Sequence, residues 1–466
     1  MLLDPRLRGD DNLCYLYRYF IPMSLLKSII VAILLLEARL ILRKYKPFVV
    51  AVTGSVGKTS TKDAIFTVLT SSKICTDQKM CYVRKSEKSM NSEIGLPLSI
   101  IGAPNAWHSL SGWLANIFKG LSLIVTRKEY PDCLVLEVGA DHPGDIKKVA
   151  PWLRPDVAVI TKVSSTPVHV EFFTSPEQVF EEKASLAREV KEGGVVVLYG
   201  DDDKTLSIRD MVATGNRSVI TFGMSGSAEV RGIDEQVIYE EVGGMKSPVG
   251  SQFTLDIKGS QSPITIARGL GQGYIQTLLA AAAVGVARGM SSADIAKALN
   301  AYTVTPGRMN IIAGIAGSTI IDDTYNSSPD AALSALQALG QIETSGTKIA
   351  ILGDMMELGK YATDEHRKIG VAAAGIVGRL VTVGQRSRWT TEEALKNGLS
   401  ADKVSSFDTA EQALEYIKPL IQAGDVILVK GSQSVRMEKV SRALLRDADK
   451  AGELLVRQEK EWLEKR

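Results

Sequence analysis

From residue 48 onward the chain alternates short apolar runs with longer stretches of helical spacing. The runs "FVVAV" (Phe48–Val52), "CLVLEV" (Cys133–Val138), "VAVIT" (Val157–Thr161) and "GVVVLYG" (Gly194–Gly200) are bounded by turn residues. Their apolar positions are continuous, which predicts parallel strands buried on both faces. Residues 208–265 are richer in Gly, Thr and Val and alternate weakly, as an antiparallel edge or flap does. A small-residue helix is predicted over Gly273–Met290, and Ser291 with Asp294 offers a capping box for the next helix. "TPGRM" (Thr305–Met309) reads as a hinge. Beyond it "TIIDD", "KIAILGD", "RLVTVG" and "DVILVKG" restart the alternation, so residues 305–466 form a second doubly wound unit. The closing "RQEKEWLEKR" reads as a solvated helical end.

The first 47 residues follow another pattern. Residues 1–12 are polar, and an apolar segment over residues 20–46 follows. Its uncharged part, Ser28–Leu36, is nine residues between Lys27 and Glu37. That is short of the roughly 20 needed to span a bilayer. Three readings stay open: a helix packed on the next domain, an interfacial membrane helix flanked by Arg39, Arg43, Lys44 and Lys46, or, least favoured, a true span. No small-residue cleavage site follows, which argues against a signal peptide.

Composition narrows the class without naming a function. Apolar residues are 45% and charged residues 23% of the 466, as in ordinary globular chains. A net charge of +2 gives no bulk attraction for nucleic acid. The four cysteines show no C-x-x-C spacing, and the expectation is a reducing cytosol without disulfides. Four histidines exclude a histidine-rich metal site.

The chemistry begins at "VTGSVGKTST", residues 52–61. It follows an apolar strand and precedes "TKDAIFTVL", the context of a phosphate loop. Gly54 and Gly57 allow close backbone approach, Ser55, Val56 and Ser60 complete the loop, Lys58 would meet outer phosphates, and Thr59 would offer its hydroxyl to Mg²⁺. Only two residues separate the glycines, so the general G-x-x-x-x-G-K-[ST] spacing fails.

Two further signals support a nucleotide site. Glu137 ends the second apolar run, at the strand edge where α/β sheets bind ligands, and could hold Mg²⁺ or pair with a nearby lysine. Downstream, Ser175 can cap a helix with Pro176 at its first position. Val179, Lys183, Leu186 and Val190 then fall on one apolar stripe, away from Glu181, Glu182 and Arg188. An inward lysine has its pKa depressed by desolvation, and a neutral amine can take up carbon dioxide to become a carbamate oxygen ligand. Snorkelling to the surface is the other reading. His169, six residues before the cap, is either a second metal ligand or merely hydrogen-bonded.

Taken in order, "VTGSVGKTSTKDAI", "NSEIGLPLSI", "LVLEVGADHPGDI", "HVEFFTSPEQVFEEKASL", "TPGRM", "DDTYNSSPDAALSAL", "ILGDMMELG" and "VKGSQSVRMEKV" resemble the Mur ligase family, ATP-dependent amide-forming enzymes of peptidoglycan synthesis. The resemblance spans about residues 47–445, and "DDTYNSSP" and "LGDMMELG" point to the D-alanyl-D-alanine-adding branch. It implies an α/β chain: an extension over residues 1–47 with a short apolar helix, a central parallel-sheet ATPase of phosphate-loop type over 48–304, and a Rossmann-like domain over 305–466. It implies ATP, Mg²⁺, an acyl-phosphate intermediate, and a nucleotide-sugar peptide and D-alanyl-D-alanine as substrates. By the same resemblance Lys58 and Thr59 serve phosphates and Mg²⁺, Glu137 and His169 are Mg²⁺ ligands, and Lys183 is the carbamylated lysine. Asn91 lies near the phosphates, Arg308 and Asp323 meet the nucleotide, Tyr325 and Asn326 share the Asp323 loop, and Lys430 contributes to the acceptor pocket. The expectation is a cytoplasmic monomer, with membrane-surface contact through residues 20–46 as an open addition.

Three departures accompany the resemblance. Gly273, Tyr274 and Thr277 stand where the family has a His-Asn pair and an adenine-contacting Asn. Gln433 stands where the family favours an Arg, removing a fork-shaped carboxylate binder. Only about 47 residues precede the phosphate loop, so the family's UDP-binding domain is expected to be missing. The alternatives are a folylpolyglutamate- or cyanophycin-type ligase on the same core, and a degenerate nucleotide-binding scaffold. The scaffold has no need of Lys58, Glu137, His169 and Lys183 together. An oxidoreductase rests only on "GLGQG", which follows no clear strand.

Overall fold

The computed structural model describes residues 23–71, 81–87, 90, 93–107 and 109–464. They divide into two compact units: the described residues up to Lys46 with Glu93–Glu129, and the remainder.

The first unit is helical. It holds α1 (Met23–Tyr45), α3 (Gly95–Ile101) and α4 (Leu110–Val125), with α2 (Lys58–Thr70) falling in the other unit. Ser109 caps α4 by accepting from the Gly112 amide. The α4 carbonyls of Leu123 and Ile124 accept from the Lys44 ammonium at 2.9 and 2.8 Å, so a cation closes the negative helix end.

The second unit carries two sheets. The first contains β1 (Phe48–Thr53), β2 (Val83–Lys85), β3 (Cys133–Glu137), β4 (Val157–Ile160), β5 (Val195–Tyr199), β6 (Ser218–Gly223), β7 (Val230–Val242), β8 (Met245–Ile257) and β9 (Ser260–Ala267). Their order is β2-β3-β1-β4-β5-β6-β7-β8-β9, parallel as far as β7, with β8 and β9 antiparallel. From Val230 on, the weakly alternating stretch is the antiparallel end of the sheet; before that it holds a short helix, Ile208–Val212, and the parallel strand β6. Val50, Val52, Val135 and Val159 pack against Ile65 and Val68 of α2 and Ile275 and Leu278 of the helix Gln272–Ala287. α6 (Pro176–Arg188) packs on β4, and Val49 and Ala51 are buried as well. Cover on both faces explains why these strands read as unbroken apolar runs.

The second sheet contains β10 (Asn310–Ala313), β11 (Thr319–Asp323), β12 (Lys348–Gly353), β13 (Arg379–Val383), β14 (Val404–Phe407) and β15 (Val426–Lys430). The order is β10-β11-β15-β12-β13-β14, parallel except for β10. Successive strand residues feed opposite cores. Ile321, Ala350 and Leu428 pack with Leu336 and Leu339 of the helix Pro329–Gln341, while Ile320, Ile351 and Val429 pack with Ile417 and Leu444.

Two expectations need correction. Cys81 is disulfide-bonded, although Cys133 is a buried free thiol whose pKa burial pushes up to about 12. The C-terminal segment is not simply solvated. Arg457 is buried and donates to the Thr324 carbonyl at 3.0 Å and to the Tyr325 carbonyl at 2.5 Å.

Candidate active site

β1 lies between β3 and β4, so successive connections leave it in opposite directions and open a crevice beyond its carboxyl end. The loop Gly54–Gly57 fills that position. Gly54 has φ +145°, and a Cβ there would stand 1.9 Å from Thr161 Oγ1. Thr161 Oγ1 in turn donates to the Val56 carbonyl at 2.7 Å. Gly57 is left-handed at φ +83° and precedes α2 without any side-chain cap. The tight turn therefore forms despite its short spacing, and the α2 N-terminus meets the cavity as a ready anion site. Lys58 Nζ folds back onto the Gly54 carbonyl at 3.0 Å. Burial pushes its pKa down, opposed by the Glu137 charge.

Glu137 ends β3, beside Val52 of β1, and is 2% exposed. Its amide donates to Ser86 Oγ at 3.2 Å. Lys183 sits on the buried side of α6 at 4% exposure, as its stripe position predicts. Desolvation first, and then the Lys58 charge, bring its pKa to about 7. Its side chain reaches a small crevice shared with Gly54, Ser55, Lys58, Asp141 and His169. The neighbouring Glu182 does not lie on a charged face with Glu181 and Arg188. It is buried, and its carboxylate accepts from the amides of Gly144, Ile146 and Lys147 at 3.0, 2.7 and 2.9 Å. That places an anion on the N-terminus of α5 (Asp145–Leu153), a long-range cap with no local sequence signal.

His169 has φ +66° and is held from two sides. Nε2 is 3.4 Å from Asp141 Oδ1, and Nδ1 is 2.8 Å from Glu357 Oε2. The hydrogen bond from His169 keeps the Glu357 carboxyl below the usual range. Glu357 was no candidate from sequence.

Both sheets turn their carboxyl edges to one cavity of about 810 Å³. Residues 55–60 with Glu137, Asp141 and His169 line it from the first sheet, and Asp323, Tyr325, Asn326 and Lys430 line it from the second. Arg308 lies 4.0 Å over the Tyr325 ring. Lys430 Nζ donates to Asp323 Oδ2 at 2.6 Å and to the Asn326 carbonyl at 3.0 Å, so the expected nucleotide and acceptor groups are tied to each other. Asn91 lies outside the described residues. Arg436 and Trp462 also line the cavity, and sequence reading missed both.

Among the described residues no three His, Cys, Asp or Glu side chains gather as a metal cage. A divalent cation here would use Glu137 and His169 with the Thr59 hydroxyl, and phosphate or carbamate oxygens for the rest. Such an oxygen-rich set suits Mg²⁺ better than a transition metal.

Two family descriptions match the chain: Mur ligase middle domain over residues 118–285, and Mur ligase, glutamate ligase domain over 307–433. Over 419 residues the chain is 30% identical to the UDP-N-acetylmuramoyl-tripeptide–D-alanyl-D-alanine ligase of Mycobacterium tuberculosis (strain ATCC 25618 / H37Rv), covering 86% of this chain and 73% of that one. The chain belongs to the Mur ligase family. The ligase of the same name from Bacillus subtilis (strain 168) is 29% identical over 398 residues, 85% of this chain and 76% of that one. The MurF ligase of Thermotoga maritima solved in complex with ADP superposes with a TM-score of 0.71 at 26% identity, covering 90% and 84%. In this Mur ligase the departing residues Gly273, Tyr274, Thr277 and Gln433 all line the cavity. Tyr274 also anchors the segment that carries Arg308, its hydroxyl donating to the Arg308 carbonyl.

Proposed function

We propose that this chain is an ATP-dependent, ADP-forming carboxylate–amine ligase that joins D-alanyl-D-alanine to a UDP-N-acetylmuramoyl-tripeptide, a step of peptidoglycan precursor synthesis. The loop amides of residues 55–60 and Lys58 hold the ATP phosphates. A substrate carboxylate oxygen attacks the γ-phosphorus and ADP leaves, giving an acyl phosphate. The acceptor amine then attacks the acyl carbon, phosphate leaves, and the nitrogen loses a proton. Mg²⁺ held by Thr59, Glu137, His169 and a carbamylated Lys183 would neutralise charge on the phosphates. Arg308, Asp323 and the Tyr325–Asn326 loop position nucleotide and substrate, and Lys430 shapes the acceptor side. The division of labour follows the boundaries 48–304 and 305–466, with residues 1–47 outside the chemistry.

One observation carries this reading: a buried lysine poised near neutrality shares a crevice with the phosphate-loop lysine and His169. A scaffold gains nothing from two desolvated amines side by side. The test is ADP release with each substrate alone and with both, followed by mass measurement of the product. Turnover with glutamate-type acceptors instead of D-alanyl-D-alanine would select the folylpolyglutamate-type alternative. A monomeric state and a peripheral place at the inner membrane face, through residues 20–46, belong to the same proposal. No helix among the described residues is long and apolar enough to cross a membrane.

A further inference from the structure

Nine of the fifteen exposed large hydrophobic side chains among the described residues belong to the small helical unit, and five line one side of α4. Leu110, Leu114, Phe118, Leu121 and Val125 recur at i, i+4, i+8, i+11 and i+15. At 3.6 residues per turn they span an arc of about 80°. Their exposures reach 66% at Phe118 and 73% at Val125. The opposite side of α4, with Asn116, Gly120 and Leu123, is already buried. The apolar stripe therefore faces outward and is not a misplaced core. Along the neighbouring helix Ile29, Leu36 and Leu40 are exposed too.

Charge gives this face a direction. Lys44 reaches the carbonyls at the α4 C-terminus and Gly120 lies against Glu37, so the two helices run parallel and end together. Their shared end carries Arg43, Lys46, Arg127 and Lys128, all exposed, against one exposed acid, Glu129, and Arg39 is exposed further back along α1. Within α4 only Lys119 is charged. Trp107, 76% exposed, stands at the opposite end.

We propose that this face docks in the plane of an anionic lipid bilayer, with α4 as the main contact. The proposal deepens the membrane contact put forward for residues 20–46 by assigning it to a second, distant segment. A wide apolar stripe without internal polar groups offers a soluble partner no register, whereas acyl chains need none. The basic end meets headgroup phosphates, and Trp107 suits the same interfacial depth when the helices lie flat. Neither helix is a candidate span, so the unit lies on the membrane.

The test is flotation of the full chain with vesicles of pure phosphatidylcholine and vesicles mixed with phosphatidylglycerol. Wild type is expected to float with the mixed vesicles and to be released by salt. Phe118→Asp combined with Leu114→Asp lowers binding by more than about ten-fold. Arg43→Gln and Arg127→Gln each lower it roughly five-fold. Ligase turnover of the same variants in vesicle-free buffer stays at the wild-type level, which separates failure of docking from failure of the enzymatic reading. Wild-type protein that does not float, or variants that float as well as it does, overturns the proposal. So does a solution dimer that Phe118→Asp converts to monomer without any flotation, which would make the face a contact between copies.

Discussion

His169 Nδ1 stands 2.8 Å from Glu357 Oε2, tying the loop after β4 to the loop after β12. The two sheets meet at two more polar contacts nearby: Thr166 Oγ1 donates to Glu365 Oε1 at 2.9 Å, and Lys162 lies 3.2 Å from Asp330. The His169–Glu357 pair differs from these in ending at a residue proposed to hold the cation. Glu357 is thus a positioning residue, because it fixes the imidazole from the other sheet. Glu357→Gln keeps the shape and removes the charge. The pair is partly exposed, so the expected loss in kcat/KM is modest, roughly two- to five-fold. ADP release measured across ATP concentrations checks it, and unchanged turnover would remove the role.

Lys58→Ala tests the phosphate loop itself. The lysine is half-buried at the cavity wall and desolvation depresses its pKa, so folding loses little when it goes. Turnover loses a cation aimed at the transferring phosphoryl group, on the order of a hundred-fold or more. A melting temperature near wild type together with lost ADP release is the expected pair of results. Wild-type turnover would refute the assignment.

Lys183 gives a pH signature. Its folded pKa of about 7 is below the ordinary 10.5, so between those values the unfolded chain binds more protons. Stability therefore rises as pH rises from about 7 to about 10.5, and below 7 the whole penalty is in force. In carbon-dioxide-free buffer Lys183→Met is expected to flatten this slope and to be more stable near neutrality. The same window governs carbamate formation, which needs the neutral amine. Lys183→Ala should lose activity and regain part of it with added short carboxylates. Full activity without rescue would rule out the carbamate.

The parallel strands, the phosphate loop and the inward Lys183 were legible because each depends on local pattern: an apolar run, two glycines, a stripe at helical spacing. Ser175 caps its helix as expected, accepting from the Gln178 amide. What escaped depends on distant partners. Glu182 looks like any surface glutamate until its carboxylate meets the amides of Gly144, Ile146 and Lys147, more than thirty residues away. Trp462 and Arg457 lie in a charged tail whose local composition reads as solvated, and only the fold brings Arg457 over Tyr325 and both to the cavity side. The outward stripe of α4 was also unread, since an amphipathic pattern cannot say which face the rest of the chain covers.

Glu37, packed against Gly120, should make the helical unit pH-sensitive. Burial raises the Glu37 carboxyl pKa to about 7, and a Cβ at Gly120 would stand 2.2 Å from Glu37 Oε2. The folded pKa is above the ordinary 4.5, so the stabilising contribution is complete below that value and is lost as pH rises through about 7. After correction for intrinsic rates, α1 and α4 amides should exchange more slowly at about pH 6 than at about pH 8. Glu37→Gln should erase the difference. Gly120→Ala should cost about 1–3 kcal/mol by overpacking. Exchange that is pH-independent in wild type would show that the carboxyl is not held as its burial implies.

The guanidinium groups of Arg436 and Arg457 lie 5.4 and 5.6 Å from the centre of the Trp462 ring. Buried Glu438 joins the same two arginines, at 2.6 Å from Arg436 and 3.5 Å from Arg457. Arg436 and Trp462 face the cavity on the side of Lys430 and Gln433, whereas the phosphate loop is on the other sheet. Trp462→Ala removes two cation–π contacts while leaving Glu438 paired. The acceptor KM should rise roughly five-fold or more, with the ATP KM within about two-fold of wild type. Arg457→Met instead leaves Glu438 with one partner, and its main effect should be on stability, about 3–5 kcal/mol. Steady-state kinetics with each substrate varied in turn, beside thermal melts of both variants, separates the two roles. An ATP KM that rises with the acceptor KM in Trp462→Ala would place the tail on the nucleotide side.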